Sequence, residues 1–271
     1  MKKVFSILSD ADFSPEMLSI RLGNYHVSFA VSNREGTELV QLAYFTNSSI
    51  ITDAELQQIW LQESLLQKNF SLIKIAIDLP YAIVVPHKFS ENFATAEAMQ
   101  CQYGPMVASR YLTDALPNWQ LNIQYAVPQT LLNFLQERMP QAEIRHGYTT
   151  DISRIIATDF EGAIRVDFRS EEFSLIASRS NKLLLTQIFT YENPADVIYY
   201  LLQVARQFGF TQQELRLTVS GLIEQESSLY RELHHYFLNI RFHNAEWVYR
   251  SENEPLPAHF FTALYDLAQC G

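Results

Sequence analysis

A segment that reads as three successive strands occurs twice in this chain, and this repeat constrains the fold more than any other feature. The two copies are Ser19 to Thr46 and Ala163 to Thr190, and a shift of 146 positions places Ile20 on Val166. The turn before the third strand is two residues shorter in the second copy. The other matched pairs are Arg21 and Asp167, Gly23 and Arg169, Ser28 and Ser174, Phe29 and Leu175, Leu39 and Leu183, Phe45 and Phe189, and Thr46 and Thr190. Such a repeat predicts two structurally equivalent halves.

The elements after each copy follow the same order. In the first half, Thr52 precedes residues at helical spacing, and the apolar run Leu72 to Ile77 predicts the next strand. In the second half, Asn193 and Pro194 start a helix, and Leu215 to Val219 is again a strand. The recurring order predicts an α/β protein with two halves, residues 1–157 and 158–271, each a mixed five-stranded sheet flanked by helices.

Further elements are predicted from local patterns, and an N-terminal arm is expected to add an edge strand. Proline and glycine positions set most of their limits. The predicted strands are Ala82 to Pro86, Leu121 to Val127 and Ile240 to His243, and the predicted helices are Ser90 to Cys101 with Ser90 as cap, Pro128 to Met139, Glu224 to Leu238 and Ala258 to Gln269.

Composition narrows the class of partner. The chain has 20 Lys and Arg against 30 Asp and Glu, a formal net charge of -10, which disfavours nucleic acid and anionic membranes. No apolar run approaches the roughly 20 residues of a membrane span. The two cysteines, Cys101 and Cys270, cannot form a disulfide framework for a chain of this size, so a reducing, cytoplasmic setting is expected.

The order of these elements resembles the actin-like ATPase fold, also called ribonuclease H-like. Members of that superfamily are tandem duplications in which each half begins with a three-strand meander and nucleotide lies between the halves. More closely, the chain resembles a bacterial family without an assigned function, found mainly in Bacteroidetes and distantly similar to pilus-assembly and cell-division actin-like proteins. The resemblance implies a nucleotide site, with ATP and magnesium as its cofactors.

The nucleotide motif implied by this resemblance is incomplete in both halves. Functional members hold Asp-x-Gly at the end of the first strand, where the acid binds metal-coordinated water and the glycine amide approaches phosphate. The first half keeps the glycine, as Gly23-Asn24, but has Arg21 in place of the acid. The second half keeps the acid, Asp167, and has arginine two residues later, before Ser170. By resemblance, the candidate nucleotide-binding residues are Gly23, Asn24, Asp167, Ser170 and Gly221, the last representing a Gly-Gly turn near the adenosine.

Catalytic candidates are few. The resemblance leaves Asp167 and Asp78, which ends the corresponding strand of the first half. Arg21 removes a hard oxygen ligand for Mg²⁺ and adds a cation, although a guanidinium can still bind phosphate through paired hydrogen bonds. We favour the simpler interpretations, in which Arg21 is an ordinary charged residue at a strand end and Asp78 is a turn former beside proline.

Other functional constellations are absent from the sequence. The histidines lack metal-ligand spacing, so no metal site is predicted, and no P-loop, G-x-G-x-x-G or G-x-S-x-G motif occurs. We therefore expect a degenerate actin-like protein that acts as a non-catalytic binding or scaffolding module, with a protein partner or as a homodimer. The alternative is an ATP-binding protein, ATPase or kinase-like enzyme that uses the cleft between the halves.

Overall fold

The computed structural model describes residues 1–10, 14–106, 108–155, 161–180, 182–250 and 256–270. These residues form two compact units. The first contains the described residues of 1–154, 247–253 and 266–271, and the second those of 155–246 and 254–265. The predicted boundary between residues 157 and 158 lies outside the described residues.

The first unit is built on a six-stranded mixed sheet in the order β1-β4-β3-β2-β5-β9. Its strands are β1 (Lys2–Leu8), β2 (Met17–Gly23), β3 (His26–Ser32), β4 (Leu39–Thr46), β5 (Leu72–Asp78) and β9 (Glu143–His146). Strands β2, β5 and β9 run parallel, so their carboxyl ends meet at one edge. The predicted edge strand from the N-terminal arm is confirmed, because β1 pairs antiparallel with β4.

Within the described part of residues 1–154, the α-helices of this unit are α1 (Asp53–Gln62), α2 (Thr95–Tyr103), α3 (Gln129–Arg138) and α4 (Gly147–Ser153). The predicted cap of α1 is confirmed, because the Thr52 hydroxyl accepts the Glu55 amide while the Glu55 carboxylate accepts the Thr52 amide. This reciprocal capping satisfies two amide donors that the helix itself leaves unpaired.

A separate three-stranded antiparallel sheet is inserted between β5 and α3. Its strands are β6 (Ala82–Pro86), β7 (Ser109–Leu116) and β8 (Leu121–Pro128), in the order β6-β8-β7. Strand β7 was not predicted, since its sequence SRYLTDAL alternates only weakly and carries Asp114 in its interior. The groups that donate hydrogen bonds to this aspartate are brought together only in the folded chain.

The second unit has a five-stranded sheet in the order β12-β11-β10-β13-β14. Its strands are β10 (Gly162–Phe168), β11 (Glu172–Arg179), β12 (Lys182–Thr190), β13 (Leu215–Gly221) and β14 (Asn239–Phe242). Its helices include α5 (Pro194–Gln207) and α6 (Ser228–Tyr236), and α7 (Thr262–Gln269) closes the chain. The predicted Asn193 cap of α5 is confirmed, since its side chain accepts the amides of Ala195 and Asp196.

Strand pairing agrees with the repeat read from the sequence. Arg21 lies opposite Ser28 across β2 and β3, and their repeat equivalents, Asp167 and Ser174, lie opposite each other across β10 and β11. Past the shorter turn, Phe45 pairs with Val27 and Phe189 pairs with Phe173. The two halves therefore share strand order and register, and the α/β prediction of duplicated mixed sheets is confirmed, with β1 as a sixth strand in the first.

Three predicted helices begin later than expected, and one of them, α6, begins at Ser228 rather than at Glu224. The stretch His87–Asn92 forms a 3-10 helix, in which the Ser90 hydroxyl donates to the His87 carbonyl at 2.8 Å and so does not cap α2. The last helix begins at Thr262, whose hydroxyl donates to the His243 carbonyl at 2.6 Å. At Ser90, a hydroxyl that resembles a helix cap is used in a different hydrogen bond. None of the helices in the described parts of the chain is long and apolar enough to cross a membrane.

Candidate functional site

At the carboxyl end of β2, the Arg21 side chain is buried in a cluster of charges within the first unit. Its Nε and Nη2 atoms donate to the two carboxylate oxygens of Asp78 at 2.8 and 2.7 Å. Its Nη1 atom donates to Asp151 at 3.0 Å. The side chain is only 2% exposed. A guanidinium held by two carboxylates in this way is fixed in place, because its planar fork matches carboxylate geometry.

The carboxylates come from two elements that end or begin at the same sheet edge. Asp78 is the last residue of β5 and lies beside Gly23 in the parallel pair with β2. Asp151 lies in α4, a buried helix that starts directly after β9. The first residue of that helix, Gly147, has no room for a side chain, because a Cβ there would lie 2.0 Å from the Asp78 Oδ1 atom. The cluster thus requires glycine at that position.

His26 is the fourth member of this cluster. Its Nε2 atom lies 3.2 Å from the Asp78 Oδ2 atom, and its ring stacks on Tyr44 with centroids 5.9 Å apart. His26 begins β3, so the hairpin that follows Arg21 returns to the same carboxylate. The Asp78 carboxylate is therefore contacted by side chains from two neighbouring strands, Arg21 of β2 and His26 of β3.

The second unit has a corresponding cluster at the end of β10. The Ser220 hydroxyl donates to the Asp167 Oδ1 atom at 2.9 Å, and the Arg169 Nε atom lies 3.6 Å from the Asp167 Oδ2 atom. Arg169 also donates to Glu172 at 3.1 Å and is 3% exposed as a residue. The Tyr191 hydroxyl donates to the Arg169 carbonyl at 2.7 Å and holds the backbone of this turn.

Each unit therefore closes its first strand end with one guanidinium between two carboxylates. In the first unit the cation, Arg21, stands on the strand and the acids come from other elements. In the second the signs are exchanged, since Asp167 stands at the equivalent strand position and Arg169 comes from the turn. Each arginine is paired inside its own unit. Neither guanidinium is therefore an isolated cation that could bind phosphate without losing a carboxylate partner.

The backbone conformation and the packing at Gly221 both require a glycine. Its φ is +79°, and a Cβ there would lie 2.1 Å from the Phe168 carbonyl oxygen on the paired strand β10. Its amide donates to the His259 carbonyl at 2.7 Å. The glycine permits close packing of two strands, and its N–H group is engaged by the protein.

The remaining candidate residues lie beside these clusters. Gly23 ends β2 and Asn24 follows it, with the Asn24 carbonyl accepting the Ile51 amide at 2.8 Å. Ser170 lies in the turn between Arg169 and β11. Within each unit, the predicted residues are thus brought to one strand end, together with carboxylates that the sequence alone did not single out.

A second polar network connects the inserted sheet to the start of α4. The Asp114 carboxylate of β7 accepts the His146 amide at 2.7 Å, the Thr149 hydroxyl at 2.6 Å and the Tyr125 hydroxyl at 3.1 Å. Burial raises the pKa of Asp114 above its ordinary value, although these hydrogen bonds oppose the effect. The sequence carries no local signal for this role of Asp114, because the residues that donate to its carboxylate are distant in sequence.

His146 is the buried histidine of this network. Its Nε2 atom lies 2.9 Å from the Leu79 carbonyl oxygen and therefore donates, while its Nδ1 atom accepts the Tyr148 amide at 3.1 Å. Burial lowers the pKa of His146 to about 4. The ring is accordingly neutral at physiological pH and fixed in one tautomer.

The carboxylates of both clusters are engaged by other side chains of the protein. Among the residues that the structure describes, no group of three or more His, Cys, Asp or Glu side chains is arranged to hold a metal ion. Magnesium in such a fold needs carboxylate oxygens that face the ligand. Here the oxygens of Asp78 accept from a guanidinium, and one oxygen of Asp167 accepts from Ser220. Each candidate acid is thus already in use within its own unit.

The sequence profile of a family described as DUF3822, protein of unknown function, matches residues 11–240. Among curated proteins, none matches the chain. Solved structures do resemble it. A Bacteroides thetaiotaomicron VPI-5482 protein with an actin-like ATPase fold and unknown function superposes with a TM-score of 0.73 at 20% identity, covering 96% of this chain and 99% of that one.

Two other solved structures extend the comparison. A PilM-PilN type IV pilus biogenesis complex gives a TM-score of 0.59 at 15% identity, with 93% of this chain and 97% of that chain covered. The ethanolamine utilization protein EutJ from Carboxydothermus hydrogenoformans gives 0.50 at 10% identity, with 97% and 93% covered. The fold is therefore the actin-like ATPase fold, as the order of elements indicated.

Proposed function

The chain belongs to the DUF3822 family, and we propose that it is a catalytically inactive member of the actin-like ATPase fold that serves as a binding or scaffolding module for another protein. The observation that carries this proposal is the buried Arg21 side chain. It occupies the strand end where functional relatives hold a metal-binding acid, and both of its carboxylate partners are buried with it.

Electrostatics supports the absence of phosphoryl transfer. That reaction depends on metal ions and donors that neutralise the charge developing on phosphate. A guanidinium shared between Asp78 and Asp151 leaves the Arg21 cluster without a net positive charge from these three groups. Releasing Arg21 to bind phosphate would leave two buried carboxylates without their partner, which is strongly unfavourable.

A protein partner is supported by the comparison with known folds. One similar solved structure is a complex of PilM with PilN, in type IV pilus biogenesis. That protein shows that this fold occurs in a complex with a protein partner. A fold alone does not choose a function, so the chemistry of the partner must be inferred from the surface of this chain. The two cysteines are free thiols, which suits a reducing, cytoplasmic compartment.

The proposal is tested by measuring nucleotide binding and turnover on the purified full chain. We expect no Mg²⁺-dependent ATP hydrolysis above that of an Asp167→Ala variant, and no rise in melting temperature with ATP and Mg²⁺. A ligand that binds only the native state must raise the melting temperature, so the second measurement detects binding without turnover. Turnover that is abolished by Asp167→Ala would overturn the proposal in favour of an ATPase or kinase-like enzyme.

A further inference from the structure

The two halves differ at one edge of their sheets. In the first unit, β4 has a partner on its outer side, because β1 pairs with it antiparallel from Lys2 opposite Thr46 to Leu8 opposite Gln41. In the second unit, β12 is the repeat equivalent of β4 and is the last strand of its sheet. No described residue outside β11 pairs with it. We call the outer side of β12, residues Lys182–Thr190, the open edge.

The open edge lacks most of the features that protect an edge strand. It is nine residues long, with the sequence KLLLTQIFT, and its only charged residue is Lys182 at the start. Proteins usually shield such edges with several charges, proline, short strands or a covering segment. A long apolar edge strand is a template for main-chain pairing with another extended segment.

A comparison of side-chain burial on β4 and β12 shows which residues a strand added at the open edge would cover. Phe45 on β4 is 3% exposed, and the Lys3 ammonium of β1 lies 5.3 Å from the centroid of its ring. Its equivalent on β12, Phe189, is only partly buried and stacks on Tyr200 of α5 with centroids 4.4 Å apart. Beside this pair, Tyr199 is 62% exposed. An aromatic shelf of Phe189, Tyr200 and Tyr199 thus borders the open edge.

Charge at the Thr190 end of β12 is negative. Glu192 follows this end in the chain, and Asp196 lies in the first turn of α5. Glu171 directly precedes the paired strand β11, and its carbonyl accepts the Tyr191 amide next to Thr190. In the first unit, the corresponding acid in the first turn of α1, Glu55, lies 3.7 Å from the amino group of Met1, at the start of the covering strand. A cation entering at the Thr190 end of β12 would meet these acidic residues and the faces of aromatic rings.

We infer that the open edge binds an extended segment of a partner protein, which adds to the second sheet as an antiparallel strand and begins with cationic residues followed by apolar residues. This inference rests on the proposed binding function and names its site. By analogy with β1, the segment runs from Thr190 toward Leu185, with a Lys or Arg over Phe189 where Lys3 lies over Phe45. Apolar side chains after the cation are expected because Phe5 and Ile7 follow Lys3 in β1.

The chain itself provides the probe for this inference. A fluorescent peptide with the sequence of residues 1–10, MKKVFSILSD, carries the required cations and apolar residues. Titration of the full-length protein, followed by fluorescence anisotropy without nucleotide, should give saturable binding. With a photoreactive phenylalanine at peptide position 5, crosslinks should map to residues 182–200. Crosslinks to residues 39–46 would instead show exchange with β1, and would overturn the inference.

Main-chain pairing is tested by two N-methylated peptides. Successive amides of a strand point to opposite sides, so methylation at Phe5 and Ile7 and methylation at Ser6 and Leu8 block different edges. One peptide should lose binding by about tenfold or more while the other retains it, because only one edge faces β12. Equal affinity of the two peptides would overturn the inference.

Variants of the protein test the acidic end and the aromatic shelf. Glu192→Lys and Tyr199→Ala alter exposed side chains and should each weaken peptide binding several-fold. Glu226→Lys is the matched control for the first, because Glu226 is exposed after β13, three strands from β12 in the sheet order. Equal weakening by Glu226→Lys would point to net charge alone and overturn the inference.

Sedimentation of the protein without peptide tests the other possible occupant of the open edge, a second copy of this chain. A dimer that is broken by the peptide and by Tyr199→Ala would assign the open edge to a second copy of this chain and would overturn the partner assignment. A monomer that binds the peptide supports the inference. Because no nucleotide is present, these outcomes are independent of the ATP measurements, and detection of ATP turnover would contradict the proposed function without changing the result at the open edge.

Discussion

The guanidinium of Arg21 forms paired hydrogen bonds with both carboxylate oxygens of Asp78, at 2.8 and 2.7 Å, and both residues are almost completely buried. The two residues are 57 positions apart in the chain and meet because β2 and β5 are parallel neighbours. The pair therefore joins two central strands at their carboxyl ends.

Replacing Arg21 by alanine should destabilise the protein strongly. The change leaves Asp78 and Asp151 buried without their shared cation, and breaking a buried pair in this way costs about 3 to 5 kcal/mol. Urea unfolding followed by circular dichroism measures the loss. Arg34→Ala is the matched control, since Arg34 is 63% exposed and 3.8 Å from Glu16, and it should change the free energy of unfolding by less than about 1 kcal/mol. Similar losses for both variants would contradict the buried cluster.

Gly221→Ala should destabilise more than Gly104→Ala, although both glycines have nearly the same φ, +79° and +81°. A positive φ strains an alanine by about 1 to 3 kcal/mol, and at Gly104 the ψ of −172° places the backbone in a region that is essentially restricted to glycine. At Gly221 the new Cβ would also meet the Phe168 carbonyl oxygen at 2.1 Å, whereas no atom lies within 4 Å at Gly104. We expect a further loss of about 1 to 3 kcal/mol for Gly221→Ala, measured by denaturant unfolding. An equal loss at the two positions would show that strand packing does not require this glycine.

Acid should destabilise the protein through His146. Burial lowers its pKa in the folded state to about 4, from an ordinary value near 6.5, so the unfolded state binds the proton more readily. The stabilising contribution is therefore complete above about pH 6.5 and is lost as the pH falls toward 4. Between pH 7 and pH 5 it amounts to about 2 kcal/mol.

The free energy of unfolding should fall less steeply over this range in His146→Gln than in the wild type. Glutamine can still donate to the Leu79 carbonyl but does not take up the proton. Carbon-detected or ¹H–¹³C NMR of the imidazole should show His146 still neutral at pH 5.5. Titration of that signal near pH 6.5 would contradict the buried, neutral histidine.

Removing residues 1–8 should expose the β4 edge and promote association. The deletion removes the strand that pairs with β4 and the Lys3 side chain over Phe45, together with its ion pair to Glu63. The apolar edge of β4 and the aromatic ring of Phe45 would then both face water. Light scattering during concentration should show more self-association than in the full chain, and replacing only Lys2 and Lys3 by Ser is the control for lost charge. Unchanged scattering after the deletion would mean that β1 does not protect this edge.

Local sequence patterns were sufficient to predict much of the fold. The caps at Thr52 and Asn193 and the meanders around Ile20 and Val166 follow from residue type and spacing, which act over a few neighbours. The Ser90 cap failed because its hydroxyl bonds to the preceding carbonyl of His87, a choice between two local partners that composition does not distinguish.

The sequence by itself determined the duplication, the α/β class, the shared strand register, and the exchange of Arg21 and Asp167 between the two copies. Only the tertiary structure decided how those charges are used. Asp78 and Asp151 reach Arg21 through parallel strand pairing and the position of α4, contacts between chain segments 57 and 130 residues apart. Glu172 reaches Arg169 across a turn, three residues along the chain. Burial then fixes the pairs, because a charge removed from water is stable only with a partner.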